Sequence, residues 1–160
     1  MEPITLRPFV PADRDWLVEA HAVHYARDEG FDASFGVLVG QILDDFIAAP
    51  ARADERGWIA WQDGVRLGSI FCVWLDARTA KLRLFLLTPG ARGQGLGQKL
   101  LDTCTGFAAA RGYAGMQLWT HKSHAAACAL YRRNGWRLVA EKPVVSFGKP
   151  NIEQTYAISF

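Results

Sequence analysis

The sequence predicts a mixed α/β domain with a mostly antiparallel central sheet of about seven strands, one βαβ unit and helices on both faces. Three observations carry this. The hydrophobic period is helical over residues 11–50 and strand-like over 58–87. A strand that ends wholly apolar then runs straight into a Gly-rich loop and a further helix, as a βαβ unit begins. The composition is that of an ordinary globular chain, with 50% apolar and 21% charged among 160 residues, far from disorder or low complexity. A folded chain of this length exposes roughly 8,000 Å² against roughly 26,000 Å² unfolded, so about 69% is removed on folding, ample for one core. A single domain over 1–160 is expected, with no repeat, linker or charge block to divide it.

Ile4 to Phe9 reads as a short strand stopped by the Pro8/Pro11 punctuation. Pro11-Ala-Asp13 opens a helix on which Trp16, Leu17, Ala20, Val23 and Ala26 recur at helical spacing, and Gly30 ends it. Asp32 caps a second helix, with Phe35, Leu38, Val39, Ile42, Leu43 and Phe46 on one stripe before Pro50. Trp58–Trp61 and Leu67–Leu75 flank Gln62-Asp-Gly64, a hairpin with Asp-Gly turn chemistry. Ala80 to Leu87 alternates and then becomes wholly apolar, which predicts a central strand buried on both faces. A helix over 95–111 follows the Gly-rich loop and lies, by the right-handed crossover rule, against that strand. Met116–Thr120 is a strand and Ala125–Asn134 a helix stopped by Gly135; 136–140 and 154–159 are the closing strands. Five of the six tryptophans fall in strand patterns, which predicts that most are core.

Function classes are narrowed next. A formal net charge of +2 leaves no electrostatic footprint for duplex nucleic acid. The opening MEPITLRPFVPADRD is acidic at its second residue and lacks an apolar stretch, so no signal peptide is expected. The longest apolar run, Ala125 to Tyr131, is far short of a membrane span. Cys72, Cys104 and Cys128 are odd in number and widely spaced, which fits small packing residues in a reducing, cytoplasmic compartment.

The chemistry sits in Leu86-Leu-Thr-Pro-Gly-Ala-Arg-Gly-Gln-Gly-Leu-Gly97. Glycines at 93, 95 and 97 let amides converge without Cβ obstruction, and the helix N-terminus behind them adds partial positive charge. Together they form an anion site of pyrophosphate size, with Arg92 and Lys99 adding local charge. No G-x-x-x-x-G-K-[ST] string is present, against nucleotide hydrolysis. A dinucleotide fold would place its glycines after an early first strand, whereas this loop follows the fourth strand of a meander.

Arg92-x-x-Gly95-x-Gly97 after an apolar strand, with Leu130-Tyr-Arg-Arg-Asn-Gly-Trp136 downstream, resembles the GNAT superfamily of acyl-CoA-dependent N-acetyltransferases. More narrowly, the chain resembles the acetyltransferase half of bacterial MarR–GNAT fusion proteins through Ile4-Thr-Leu-Arg-Pro, Ala80-Lys-Leu-Arg-Leu, Leu118-Trp-Thr, Arg137-Leu-Val-Ala-Glu, Ser146-Phe-Gly and Gln154-Thr-Tyr; their DNA-binding half has no counterpart in these 160 residues. Those relatives carry His-His before Ser-Phe-Gly where this chain has Val144-Val145. The resemblance implies acetyl-CoA as cosubstrate, a GNAT fold, and a small-molecule, amino-acid or peptide amine as acceptor. It implies that the strand end Phe85-Leu86-Leu87 binds the pantetheine arm as an added strand would. It further implies that amides of Arg92, Gly93, Gln94, Gly95, Leu96, Gly97 and Gln98 hold the pyrophosphate, and that Tyr131 is the acid for the departing thiolate. His124 stands where many relatives contact the cofactor arm through an asparagine, with Ser123 an adjacent substitute. Residues 154–159 are a candidate for pairing across a homodimer, as in some relatives.

An amine near pKa 10 is ammonium at neutral pH, so a base must take its proton before it attacks a thioester. The strand 80–87 carries no carboxylate. His21, Tyr25 and Glu29 stand four apart, spanning about 80° of one helix face and about 12 Å along it, which makes them candidates for acceptor recognition and Glu29 the candidate base, with Asp28 and Asp32 competing. The same stripe equally suits a solvated face. His21-x-x-His24 and His121-x-x-His124 lack a third ligand, so no metal is expected. Two further readings stand beside the acetyltransferase: another acyl-CoA donor, and a silent acyl-CoA-binding sensor.

Overall fold

A computed structural model describes residues 2–160; Met1, the start of the opening segment read above, lies outside the described residues. The order is β1 (Thr5–Pro8), a 3-10 turn (Pro11–Asp13), α1 (Arg14–Glu29), α2 (Ala33–Ala48), β2 (Arg56–Gln62), β3 (Val65–Trp74), β4 (Thr79–Leu87), a second 3-10 turn (Pro89–Ala91), α3 (Leu96–Ala110), β5 (Gly115–His121), α4 (Ala125–Arg133), β6 (Arg137–Ser146) and β7 (Lys149–Ser159). The seven strands form one sheet in the order β1-β2-β3-β4-β5-β7-β6. Only β4 and β5 run parallel; every other neighbour is antiparallel. The expected mixed sheet with a βαβ unit is therefore the observed fold, and the described residues expose 8263 Å², close to the roughly 8,000 Å² expected for this mass.

Alternation along the strands divides the core between the two faces. Trp58, Ala60, Ile70 and Cys72 turn toward α3 and α4, joining Leu96, Leu100, Cys104, Leu118 and Cys128. Their neighbours Ile59 and Phe71 turn the other way, onto Leu17 of α1 and Val39 and Leu43 of α2. α3 packs on β3, β4 and β5, broader support than the single strand the crossover rule suggested. Among the described residues, no helix is long and apolar enough to cross a membrane.

Several expectations are corrected. The first helix begins at Arg14, because Asp13 ends a 3-10 turn and its buried carboxylate accepts from the Val10 amide and from Arg66 Nε, each at 2.9 Å. The closing strands are ten and eleven residues long, a full hairpin across Phe147-Gly148. Pro143 and Pro150 mask it in the sequence, yet β6 is a sheet edge, and residues 149–152 of β7 lie beyond the reach of β5, where missing amides are tolerated. Residues 154–157 have β5 on one side and β6 on the other, and only 158–159 extend past β6, so this strand offers no edge of useful length for a dimer; the sheet's edge strands are β1 and β6. Of the tryptophans only Trp58 and Trp136 are buried, while Trp74 and Trp119 are exposed, because β-propensity places an aromatic in a strand without choosing its face. The end of β4 is only half-buried at Leu84, Phe85 and Leu87, for the reason that follows.

Candidate active site

β4 and β5 pair only where Thr79–Lys81 meets Gly115–Gln117. Beyond that point the two strands part, although β4 continues to Leu87 and β5 to His121. On its other edge β4 slips register against β3 between Ser69 and Phe71; Leu84 takes φ +53°, and its carbonyl accepts from Ser69 Oγ at 2.7 Å. An extra residue at this point bends the strand and turns its edge outward. A cleft of about 290 Å³ occupies the gap, walled by α1, α2, β4, β5, the start of α4 and the β6–β7 turn.

At the end of β4 the chain enters the Gly-rich loop. Gly93 and Gly95 adopt φ +77° and +75°, with open space where a Cβ would stand. The positive φ is therefore their requirement, and it aims the chain so that, among the described residues, the amides of 93–98 have no acceptor within the protein. Six free donors at a helix N-terminus suit a bound anion. Arg92 is tied to Asp28 of α1 at 2.6 Å, which holds the Asp28 carboxyl below its ordinary range. Gln94 Nε2 donates to the Gly90 carbonyl, and Gln98 pairs with Asn134 at 2.7 and 3.0 Å, fastening α3 to α4. Lys99 donates to the Ile4 carbonyl.

The predicted stripe of α1 lines the cleft: His21, Tyr25 and Glu29 all border it, with Phe85, His124 and Tyr131. His21 is 1% exposed, and its Nδ1 lies 2.8 Å from the Leu17 carbonyl. Burial drives its pKa down to about 4; the ring is neutral at pH 7, with Nδ1–H donating and Nε2 left as a buried acceptor without a partner. The Tyr25 hydroxyl donates to the Phe85 carbonyl at 3.2 Å. Glu29 Oε1 accepts from Ser123 Oγ at 2.6 Å, and Ser123 in turn accepts from Asn151 Nδ2 at 3.0 Å. Tyr131 packs its ring by Phe85, Trp136 and Tyr156; burial pushes its hydroxyl well above the ordinary range.

Of the competing carboxylates, Asp28 is held by Arg92 and Asp32 caps α2 through the Ser34 amide, and neither borders the cleft as Glu29 does. His124 stands at the N-cap position of α4 with its ring centroid 5.4 Å from that of Tyr25, and burial lowers its pKa. Ser123, the adjacent substitute, has its hydroxyl committed to Glu29. His121 reaches Ser146 Oγ at 3.2 Å, and His24 does not border the cleft.

Sequence reasoning missed the roof and part of the floor. Phe31 packs tilted and Phe35 edge-on against Phe147, with ring centroids 4.8 and 4.9 Å away; the Asp32 amide donates to the Phe147 carbonyl at 2.9 Å and Lys149 Nζ to the Glu29 carbonyl at 2.7 Å. Gly148 is pressed so close to the Asp32 carboxylate that a Cβ there would collide with it. Lys81 and Arg83 lie on the floor. Their i, i+2 spacing on a strand was the one available signal.

Residues 40–136 match the family model described as the acetyltransferase (GNAT) family. The chain belongs to that family. Its sequence motifs imply the same family. A mycothiol acetyltransferase from Beutenbergia cavernae is 36% identical over 78 residues, 49% of this chain and 26% of that protein, so the match spans about a quarter of the relative. A GCN5-related N-acetyltransferase from Kribbella flavida shares the fold with TM-score 0.79 at 18% identity, covering 98% of each chain. yncA from Salmonella typhimurium, in a structure with its cofactor acetyl-CoA, has TM-score 0.75 at 18% identity, covering 99% of this chain and 94% of its own.

Proposed function

We propose that this domain transfers the acetyl group of acetyl-CoA to the primary amine of a small molecule, an amino acid or a peptide terminus by direct attack, in the cytoplasm. The supporting observation is one cleft that opens along the free edge of β4, borders Glu29 and Tyr131, and lies beside a loop of unpartnered amides. The pantetheine arm lies along Phe85-Leu86-Leu87 as an added strand, sharing the Phe85 carbonyl with Tyr25. The pyrophosphate rests on the amides from Gly93 to Gln98, the Arg92 amide being taken by the Pro89 carbonyl, with no metal needed to hold it. The narrower kinship with the acetyltransferase half of MarR–GNAT fusions belongs to the same proposal.

In the reaction the amine nitrogen attacks the thioester carbon and the carbon–sulfur bond breaks. Glu29 accepts the ammonium proton through the oxygen that Ser123 leaves free. Tyr131, protonated at neutral pH, donates a hydrogen bond to the sulfur and gives it a proton as the thiolate leaves, and it recovers that proton from the nitrogen, which attack has made cationic. His21 orients the acceptor through its unpartnered Nε2, Tyr25 walls the site, and His124 borders the cofactor arm. Proximity supplies much of the remaining rate.

Calorimetric titration of acetyl-CoA into wild type and Gly95→Glu tests this reading. Binding by wild type, weakened at least tenfold in a variant with unchanged circular dichroism, is the expected result, because the new carboxylate faces the amides that hold the pyrophosphate. A well-folded wild type that does not bind acetyl-CoA overturns it.

A further inference from the structure

We propose that the acceptor carries an anionic group, a carboxylate or a phosphate, which Arg83 and Lys81 receive inside the cleft; the inference rests on the acetyltransferase reading and narrows its substrate class. The two cations stand two residues apart on β4 and both border the cleft, roughly 7 Å apart along the strand. Arg83 is only partly exposed, its Nε is shut off from water, and Nε has no hydrogen-bond partner. Among the described residues neither side chain enters an ion pair; those of Arg14, Arg52, Arg66, Arg92 and Lys142 lie elsewhere. Lys81 rests its ammonium 4.6 Å from the Trp119 ring centroid.

Burial lowers the pKa of Arg83, and burial together with Arg83 lowers that of Lys81. Of the carboxylates bordering the cleft, Glu29 is bound by Ser123, and Glu153, 3.8 Å from Lys142, partly offsets the lowering at Lys81 but not at Arg83, which is the cation left without a counter-charge. A desolvated guanidinium without a counter-charge is unfavourable in the empty protein and becomes favourable when an anion supplies a bidentate partner. The phosphates of CoA are not that anion. Arg83 precedes Thr88 by five residues, roughly 16 Å of strand before the Gly-rich loop begins. Glu29, on the opposite wall, leaves the other end of the same acceptor for its ammonium, so the cleft is polarised for a molecule with charges at both ends.

The test uses matched acceptors that differ only in the anion: phenylalanine against 2-phenylethylamine for carboxylate, and phosphoethanolamine against ethanolamine for phosphate. In wild type the anionic member of at least one pair is acetylated with the higher kcat/KM, and which pair identifies the anion. Arg83→Gln lowers that preference at least tenfold, and Arg83→Lys restores part of it. A second arm needs no turnover: 3-phenylpropanoate and inorganic phosphate are titrated into the free protein, and at least one binds wild type at least tenfold more tightly than Arg83→Gln. No preference for either anionic member together with no anion binding overturns the inference, as does a substitution that lowers both members of a pair equally. Acetyl-CoA titration of the same preparations separates the two readings. Anion binding without acetyl-CoA binding refutes the acetyltransferase and keeps the anion site; the converse refutes the anion site alone.

Discussion

Replacing Tyr131 by phenylalanine isolates one oxygen atom. The ring is 4% exposed and lies with its centroid 6.2 Å from Phe85, 5.7 Å from Trp136 and 5.9 Å from Tyr156, all contacts that phenylalanine keeps. The hydroxyl forms no hydrogen bond with the described residues, so its removal leaves no buried partner unsatisfied. The expected change in stability is within about 0.5 kcal/mol, a shift in Tm of no more than about 2 °C for a chain of this length. The expected loss in catalysis is much larger. A positioned general acid contributes about 100- to 10,000-fold; because water reaches the open cleft and partly substitutes, the lower end applies, about 100-fold in kcat, or about 2.7 kcal/mol of barrier. Free CoA thiol released from acetyl-CoA is followed with a chromogenic thiol reagent on any amine the wild type accepts, and acetyl-CoA affinity is measured calorimetrically in parallel. Turnover within twofold of wild type refutes the acid role and makes Tyr131 a packing residue. Turnover lost in proportion to acetyl-CoA affinity also refutes it, and assigns the hydroxyl to cofactor binding.

Two further outcomes follow from the core and from the buried imidazole. Leu43 is 0% exposed between α2 and the sheet, and Leu43→Ala is expected to cost about 2–5 kcal/mol; a change under 1 kcal/mol by urea denaturation contradicts the packing described. His21 has a pKa of about 4 in the folded protein against 6.5 unfolded, so between those values the unfolded chain binds more protons. Stability is complete above pH 6.5 and falls as pH drops toward 4, by up to about 1.4 kcal/mol per unit and roughly 3 kcal/mol over the window. His24, His121 and His124, also lowered by burial, act in the same direction. His21→Gln flattens the slope in urea midpoints between pH 7 and 4.5; an unchanged slope removes His21 as its source.

Residues whose spacing is local carried most of the fold. The periodicity of α1 through α3, the Asp63-Gly64 turn and the strand-to-helix loop depend on neighbours within a few positions, and each stands where its pattern puts it apart from the 3-10 turn that precedes α1. The β6–β7 hairpin was hidden by Pro143 and Pro150, because whether a proline breaks a strand depends on which edge lacks a partner, a property of the assembled sheet. The site divides in the same way. Gly93, Gly95, Tyr131 and the His21-Tyr25-Glu29 stripe show in short motifs, whereas Phe147 above Phe31, Ser123 on Glu29 and the unpaired state of Arg83 arise from contacts between distant segments. The half-burial of Leu84 and Phe85 likewise follows from the parting of β4 from β5, which no alternation within β4 encodes.

The roof of the cleft is fastened by the last part of the chain to be made. Lys149 grips the Glu29 carbonyl across 120 positions of chain, and Ser123 meets the Glu29 carboxylate across 94. Gln98, in the first turn of the helix behind the amide loop, likewise pairs with Asn134 across 36. A domain folds as a unit, so neither the loop's helix nor the roof is fastened until the C-terminal segments have left the ribosome.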